Sequence, residues 1–278
     1  MNEIFFIYLG IGALTGVLAG LLGVGGGLVF VPSLFYCFRV LGFDQGLLLH
    51  LALGTSLAAI FFISLSSIRS HHRRGALRWP LALQLAPGIL LGTLFGALVA
   101  DHLSTLWLQR FFALFAIGVG LQMLLSYGDG DTLLNTLDKV HLVKCHRNSG
   151  RLGQSLAGAV IGLVSALTGI GGGSLTVPFL TACRVPIREA VATSSACGLP
   201  IALAGTAGYL WTGWNHPLLP PQSFGYIHWP AVAGLAIAGV LSAPFGAYLA
   251  HTLPTRLLKR FFGLLLVILG ARMISLTP

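Results

Sequence analysis

The chain has 278 residues, of which 55% are hydrophobic and only 8% are charged, and its mean hydropathy is +0.87. This composition excludes a soluble domain with one core and is typical of a polytopic membrane protein. The formal net charge of +9 does not indicate nucleic-acid binding, because the basic residues lie in short loops between apolar runs and no nucleic-acid-binding motif accompanies them.

Apolar runs of membrane-spanning length occur along the whole chain, allowing for tilted or kinked helices where a run is short. They cover residues 4–22, 47–68, 79–100, 106–126, 153–168, 190–212, 229–250 and 257–276. The first run lacks a basic n-region, so we expect mature protein rather than a signal peptide. Two shorter runs, 28–40 and 174–183, are each either a short span or the return arm of a re-entrant hairpin. The sequence predicts an all-α polytopic membrane protein.

Each shorter run follows a glycine-rich box. The first box is Gly23-Val24-Gly25-Gly26-Gly27, and the second is Gly169-Ile170-Gly171-Gly172-Gly173; each leads to Val-Pro. The repetition continues, for example from Trp79-Pro80 to Trp229-Pro230. We therefore expect two homologous halves, 1–126 and 152–278, joined by a cytoplasmic linker at 127–151. Each half should contain a glycine-broken first helix, a short helix and three further spans.

The distribution of Lys and Arg favours inverted halves, because cytoplasmic loops are enriched in these residues. The loop at 69–78 contains four arginines, whereas its equivalent at 213–228 contains no Lys or Arg. Five crossings in each half invert the second half and leave only Arg39, Arg110 and Arg272 outside the cytoplasm. Four crossings keep both halves in one orientation and divide the basic residues more evenly, and re-entrant hairpins are expected to give no inversion. We favour five crossings, with both termini outside the cytoplasm and a two-fold axis in the membrane plane.

The glycine boxes predict a ligand site. Glycine destabilises a helix by about 1 kcal/mol per residue relative to alanine, and either close helix packing or a binding site would compensate. In a binding site, the backbone N–H groups and dipole of the following helix attract an anion. The candidate backbone ligands are Gly25, Gly26, Gly27, Gly171, Gly172 and Gly173.

Hydroxyl groups within the apolar runs are candidate side-chain ligands. They belong to Thr55, Ser56, Thr193 and Ser194, which occupy equivalent places in the two halves. Such hydroxyls either bond to a carbonyl of their own helix or donate to the same anion as the glycines. The repeat equivalence favours the second role.

The remaining polar residues are assigned structural roles. His50 occupies the position of Arg188 in the repeat, and a solvated place at a loop edge is favoured over contact with an anion. Asp101 and His102 are expected to cap a helix end. The cysteines Cys37, Cys145, Cys183 and Cys197 have no CxxC spacing, so neither a zinc site nor a disulfide framework is predicted. Cys37 and Cys183 are equivalent in the repeat, and helix packing and a place near the substrate both stay open for them.

The chain is not expected to be an enzyme or to bind a cofactor or metal. It contains no HExxH pair, GxSxG elbow or Walker loop, and its glycine boxes do not follow strands as a dinucleotide site requires. These features indicate a channel or a secondary transporter whose partners are a small anion and the lipid bilayer. A homo-oligomer stays open.

The two GxGGGxxxVP boxes, together with Gly54-Thr55-Ser56 and Ala192-Thr193-Ser194, resemble the TauE/SafE sulfite exporter family over essentially the whole chain. The first half departs from the pattern at Gly54 and in an insertion before it. The resemblance implies a transporter of the bacterial inner membrane for sulfite, organosulfonates or other small anions. We expect a secondary transporter that exports a small oxyanion bound between the glycine breaks. The alternatives are uptake coupled to H⁺ or Na⁺ and a non-transporting membrane assembly subunit.

Overall fold

A computed structural model describes residues 2–22, 26–73, 75–125, 151–214, 216–249 and 255–275. The predicted linker at 127–151, except for the Arg151 backbone, lies outside these residues, as does Gly25. Within the described parts, the chain forms ten α-helices and one short β-hairpin.

The helices follow the same order in the two halves. The first half contains α1 (Asn2–Leu22), α2 (Gly27–Val40), α3 (Leu48–Arg73), α4 (Trp79–His102) and α5 (Thr105–Leu125). The second contains α6 (Arg151–Thr168), α7 (Gly173–Ala182), α8 (Ile187–Thr212), α9 (Trp229–Leu249) and α10 (Thr255–Ser275). Antiparallel strands β1 (Ser223–Phe224) and β2 (Ile227–His228) lie between α8 and α9. The predicted broken helix, short helix and three further helices are confirmed in each half.

Many of these helices have the length and apolar surface of membrane spans. Over the described residues, α3, α4, α5, α8 and most of α9 are long and apolar enough to cross a bilayer, and α1, α2, α6 and α7 contain shorter apolar stretches. Large apolar side chains such as Leu91, Trp107 and Leu241 lie on the outer surface of the bundle, where lipid tails would cover them. The prediction of an all-α polytopic membrane protein is confirmed.

Equivalent helices α3 and α8 pack against each other in opposite directions. A Cβ atom placed on Gly54 would lie 3.1 Å from the Tyr209 Cβ, near the start of α3 and the end of α8. Further along α3, the Ser64 Oγ would lie 3.1 Å from a Cβ atom on Gly198, nearer the start of α8. Residue numbers therefore increase in opposite directions along the two helices, which are antiparallel.

Helices α5 and α10 repeat this antiparallel arrangement. Gln109 near the start of α5 donates to the Met273 carbonyl at 2.7 Å, and Gly120 further along α5 packs closely on Gly263 of α10. A two-fold axis that relates antiparallel partners is perpendicular to them, so it lies in the membrane plane. The other contacts obey the same symmetry, since α1 packs on α9 while α6, its equivalent, packs on α4. The two halves are inverted repeats.

The first glycine break folds the chain back on itself. Tyr8 near the start of α1 and Phe38 near the end of α2 both contact the His228 ring, with centroid distances of 6.4 and 5.6 Å. The 14 residues of α2 extend about 21 Å, less than the ~30 Å hydrocarbon layer. Both arms therefore end at the same face, so the favoured count of five crossings in each half is wrong for the first half. The three helices that follow still give an odd number of crossings. The expectation that a hairpin removes the inversion is wrong, because α1 belongs to the hairpin as well as α2.

Candidate functional site

The two glycine breaks touch each other inside the bundle. A Cβ atom on Gly27 would overlap the carbonyl oxygen of Gly169 and lie 2.7 Å from the Ile170 Cα. The Gly169 carbonyl also accepts the Ser56 hydroxyl at 2.9 Å. Glycine at position 27 therefore allows α2 to begin directly against the backbone of the second break, where no side chain fits.

Both short helices begin after a glycine in the left-handed conformation. The φ angle is 73° at Gly26, before α2, and 78° at Gly172, before α7. Residues with a Cβ atom rarely adopt this conformation, so glycine is required at both places. No side chain caps either helix start, although Gly27 and Gly173 are buried. The first N–H groups of a helix have no acceptor within the helix, so these two starts have donors that no capping side chain satisfies.

The start of α7 directs specific donors out of the helix. The N–H groups of Leu175 and Thr176 both bond to the Gly172 carbonyl, at 3.0 and 2.7 Å. The preceding N–H groups, of Gly173 and Ser174, come too early in α7 to have an intrahelical acceptor. They lie at the positive end of the helix dipole, which favours a negatively charged ligand.

Thr55 and Thr193 are fully buried and hold helix starts of the opposite half. The His228 N–H donates to the Thr55 Oγ1 at 3.0 Å, and the Arg78 N–H donates to the Thr193 Oγ1 at 3.2 Å. Arg78 and His228 each precede the repeated Trp-Pro that begins α4 or α9. We call these two bonds the threonine clasps. The repeat predicts that the threonines are equivalent, but it does not reveal that each accepts the N–H group of the residue before Trp-Pro.

The two predicted serines have different partners. Ser56 bonds across the halves to Gly169, as described above, whereas Ser194 donates to the Val191 carbonyl of its own helix at 2.8 Å. The remaining predicted glycine, Gly171, has its carbonyl oxygen 3.0 Å from the Cβ position of Gly198. Of the described candidates, Gly27 and Ser56 contact the second break directly, whereas Thr55, Thr193 and Ser194 bond to other groups.

Sequence reasoning missed three further hydroxyl groups beside the second break. They belong to Ser165, Ser174 and Thr176, and no hydrogen-bond partner for them occurs in the part of the chain that the structure describes. The Thr176 Oγ1 would lie 3.3 Å from a Cβ atom on Gly172, so it lies level with the start of α7. A comparison of the two boxes residue by residue could have found them, because the first box has apolar residues at these places.

His50 is buried rather than solvated, so its predicted place at a loop edge is wrong. Its Nε2–H donates to the Ala100 carbonyl at 3.0 Å, and its ring lies 5.2 Å from that of Tyr226. The Tyr226 hydroxyl donates to the Asp101 carboxylate at 3.0 Å, so Asp101 binds this loop tyrosine, and Leu103 is the C-cap of α4. Burial and the neighbouring Asp101 raise the pKa of Tyr226. The loop between α8 and α9 covers this end of the bundle.

The same loop ends in a buried histidine. His228 is surrounded by the rings of Tyr8, Phe38 and Phe43, and its Nδ1 lies 3.2 Å from the Ser223 hydroxyl. Burial among these rings disfavours the charged imidazolium and lowers the pKa of His228 to about 4. At neutral pH this side chain is therefore uncharged.

The opposite end of the bundle carries charged residues. Arg78 and Glu189 form an ion pair across the halves, with about half and a third of their side chains exposed. Because water screens such a pair, it contributes only about 0–1 kcal/mol. This is the end that holds the clasp of Thr193 with Arg78, so the two clasps lie at opposite ends of the bundle.

The cysteines are not chemically equivalent. Cys183 forms a disulfide bond, which the sequence did not predict, whereas Cys37 and Cys197 are free thiols. Over the described residues, no cluster of three or more His, Cys, Asp or Glu side chains is arranged to hold a metal ion.

Comparisons with known proteins identify the family. The family model described as "Sulfite exporter TauE/SafE" matches residues 8–273. A "Probable membrane transporter protein" of Haemophilus influenzae is 34% identical over 263 residues, which cover 95% of each chain. The "Probable membrane transporter protein MJ0441" of Methanocaldococcus jannaschii is 26% identical, over 95% of this chain and 93% of the relative.

A further relative is the "Probable membrane transporter protein YunE" of Bacillus subtilis, which is 24% identical over 97% of each chain. No solved structure is significantly similar to the chain. The family match spans both repeats, and the apolar helices agree with the membrane location of these relatives. The chain therefore belongs to the TauE/SafE sulfite exporter family and is a multi-pass membrane transporter.

Proposed function

We propose that the chain is a secondary transporter that exports a small oxyanion, either sulfite or an organosulfonate. The observation that supports this most directly is the buried, uncapped start of α7, whose Gly173 and Ser174 N–H groups have no acceptor within the helix. Such a helix start attracts an anion through its donors and its dipole. The name of the matching family, a sulfite exporter, supports a sulfur oxyanion.

The proposed site combines backbone and side-chain donors. Gly25, Gly26 and Gly27 contribute the first break, and Gly171, Gly172 and Gly173 the second. The hydroxyls of Thr55, Ser56, Thr193 and Ser194 complete the proposed site.

Inverted repeats support alternating access, because the two halves can exchange conformations across the axis. The threonine clasps are suited to this exchange, since one joins the halves at each end of the bundle. Both clasps are formed in this structure. In the proposed cycle, the state with both clasps formed is closed at both ends. Breaking the clasp of Thr55 with His228 would open one side, and breaking its equivalent would open the other.

The orientation follows from the basic residues. We place the linker at 127–151 and the arginine-rich end near Arg78 in the cytoplasm, with the loop at 213–228 outside, because cytoplasmic loops are enriched in Lys and Arg. With this orientation, export of one negative charge gains about 2.3 kcal/mol per 100 mV of inside-negative potential. Export therefore needs no coupling ion, whereas uptake would require H⁺ or Na⁺.

Calorimetric titration of the purified protein with sulfite and methanesulfonate tests the site. Gly26→Leu and Gly172→Leu are each expected to abolish measurable binding, because a leucine strains the left-handed backbone and fills the break. Gly118→Leu is the matched control, since a Cβ atom there has open space around it. If folded Gly26→Leu and Gly172→Leu proteins bind as tightly as Gly118→Leu, the anion does not bind at the breaks.

The tight contact of Gly27 with Gly169 favours one alternative from another class, an assembly subunit whose glycines serve only packing. That protein would give no anion flux after reconstitution into liposomes, whatever gradient is imposed. The proposed transporter gives flux that depends on the gradient.

A further inference from the structure

The two breaks differ in chemistry, and this difference refines the proposed site, on which the inference rests. We infer that the oxyanion binds at the second break alone, held by the N–H groups of Gly173 and Ser174 and by the Thr176 and Ser165 hydroxyls. The first break packs against this site as a wall and does not bind the anion. The two halves thus share a fold, but only the second half binds the anion.

The unpartnered hydroxyls at the second break support the assignment of the anion to this break. Thr176 is 0% exposed and Ser165 is 1% exposed, yet neither hydroxyl has a hydrogen-bond partner in the described part of the chain. A buried polar group without a partner costs about 1–3 kcal/mol, so native proteins leave few of them. The Thr176 Oγ1 lies beside Gly172, level with the donors at the start of α7. An anion there would satisfy the hydroxyl and the N–H groups together.

The first break lacks these groups. When the two halves are aligned on their glycine boxes, Ser165, Ser174 and Thr176 correspond to Ala19, Leu28 and Phe30. These three residues offer no side-chain donor. The α2 start is also filled, since Gly27 packs directly on the backbone of Gly169 and Ile170. A ligand at α2 would have to displace this backbone contact, whereas the nearest neighbour of Gly172 before α7 is the Ile201 side chain, which can rotate.

The chemistry of the second break fits an anion with several oxygen atoms. The start of α7 offers backbone N–H groups and the Thr176 hydroxyl, and Ser165 lies near the end of α6, four residues before Gly169, so a ligand held by all of them must accept several hydrogen bonds. Sulfite and the sulfonate group carry three oxygens and can accept from each of them. A cation would not bind here, because it needs electron-pair donors such as carbonyl oxygens, whereas backbone N–H groups can only donate hydrogen bonds.

Thr176→Val removes the hydroxyl with little change of shape and is the first test. In calorimetric titration of the full chain with sulfite and with methanesulfonate, we expect it to weaken binding about tenfold to hundredfold, the loss of one hydrogen bond to a charged group. Thr176→Ser keeps the hydroxyl and should restore binding to within about threefold. The matched control is Thr181→Val in the same helix, because the Thr181 hydroxyl is already bonded to the Val177 and Pro178 carbonyls at 3.0 and 2.9 Å.

A second pair of variants covers the case in which Thr176→Val fails to fold. Ser165→Ala should weaken binding by a similar factor, whereas Ser195→Ala should not, because the Ser195 hydroxyl is bonded to the Ala192 carbonyl at 2.7 Å.

The outcomes separate this inference from the proposed function. If the unaltered protein binds neither anion, the proposed function fails. If it binds, but Thr176→Val and Ser165→Ala bind as tightly as their controls, the anion does not bind at the second break through these hydroxyls.

Discussion

Replacement of Gly27 by alanine tests the contact between the two breaks. At an open helical position, alanine stabilises a protein by about 0.5–1 kcal/mol relative to glycine, because the unfolded chain loses less freedom on folding. Gly118 in α5 is such a position, since a Cβ atom there has no neighbour within 4 Å. At Gly27 the same methyl group would overlap the Gly169 carbonyl and approach the Ile170 Cα to 2.7 Å. These are backbone atoms, so no side chain can rotate to make room.

Overpacking of this kind costs about 1–3 kcal/mol. We therefore expect Gly27→Ala to be less stable than Gly118→Ala by about 1.5–4 kcal/mol, when the gain at the open site is included. Thermal unfolding in detergent, followed by tryptophan fluorescence, compares the two variants with the unaltered protein. Gly118→Ala should unfold at or slightly above the original temperature, and Gly27→Ala several degrees below it. Equal unfolding temperatures would refute the direct contact of the two breaks.

Three further outcomes are expected. Thr55→Val and Thr193→Val should each lower the unfolding free energy by about 1–3 kcal/mol, because each leaves a loop N–H without its acceptor; serine variants keep the acceptor and should not. The lowered pKa of His228, about 4, means that the unfolded chain binds a proton first as the pH falls. Stability from burial of the neutral ring is complete above about pH 6.5 and is lost between 6.5 and 4, so His228→Gln should flatten the pH dependence of unfolding there; an unchanged profile would contradict this. A cysteine at exposed Leu218, in a background without the native free thiols, should react with an impermeant maleimide added to intact cells, and labelling only after lysis would reject the proposed orientation.

The sequence predicts the elements well because membrane spans are determined by local composition. Predicted runs such as 79–100 and 229–250 match Trp79–His102 and Trp229–Leu249 within a few residues. The repeated glycine boxes locate both breaks, since three glycines within an apolar run leave few alternatives to a helix end. The charge asymmetry of equivalent loops predicts the inverted relationship that helix packing shows.

Long-range partners are not visible in the sequence. His50 is predicted to be solvated at a loop edge, whereas in the structure it is buried against Ala100, Thr105 and the Tyr226 ring. Thr55 and Thr193 are identified as a pair by the repeat, but their acceptance of a loop N–H depends on how the halves pack. The difference between the breaks is visible in the sequence, because Thr176 aligns with Phe30. Its meaning requires the structure, which shows that the Thr176 hydroxyl is buried without a partner in the described residues.

The most direct measurement of the central claim is anion flux in proteoliposomes. Vesicles loaded with sulfite or methanesulfonate, with a potential imposed by a potassium gradient and valinomycin, report whether the purified chain moves a singly charged oxyanion. An inside-negative potential of 100 mV should drive export toward roughly a fortyfold excess outside, with no added H⁺ or Na⁺ gradient. Thr176→Val should slow this flux, and Thr181→Val should not. Absence of flux for every small oxyanion, or flux that ignores the potential, would contradict an uncoupled oxyanion exporter.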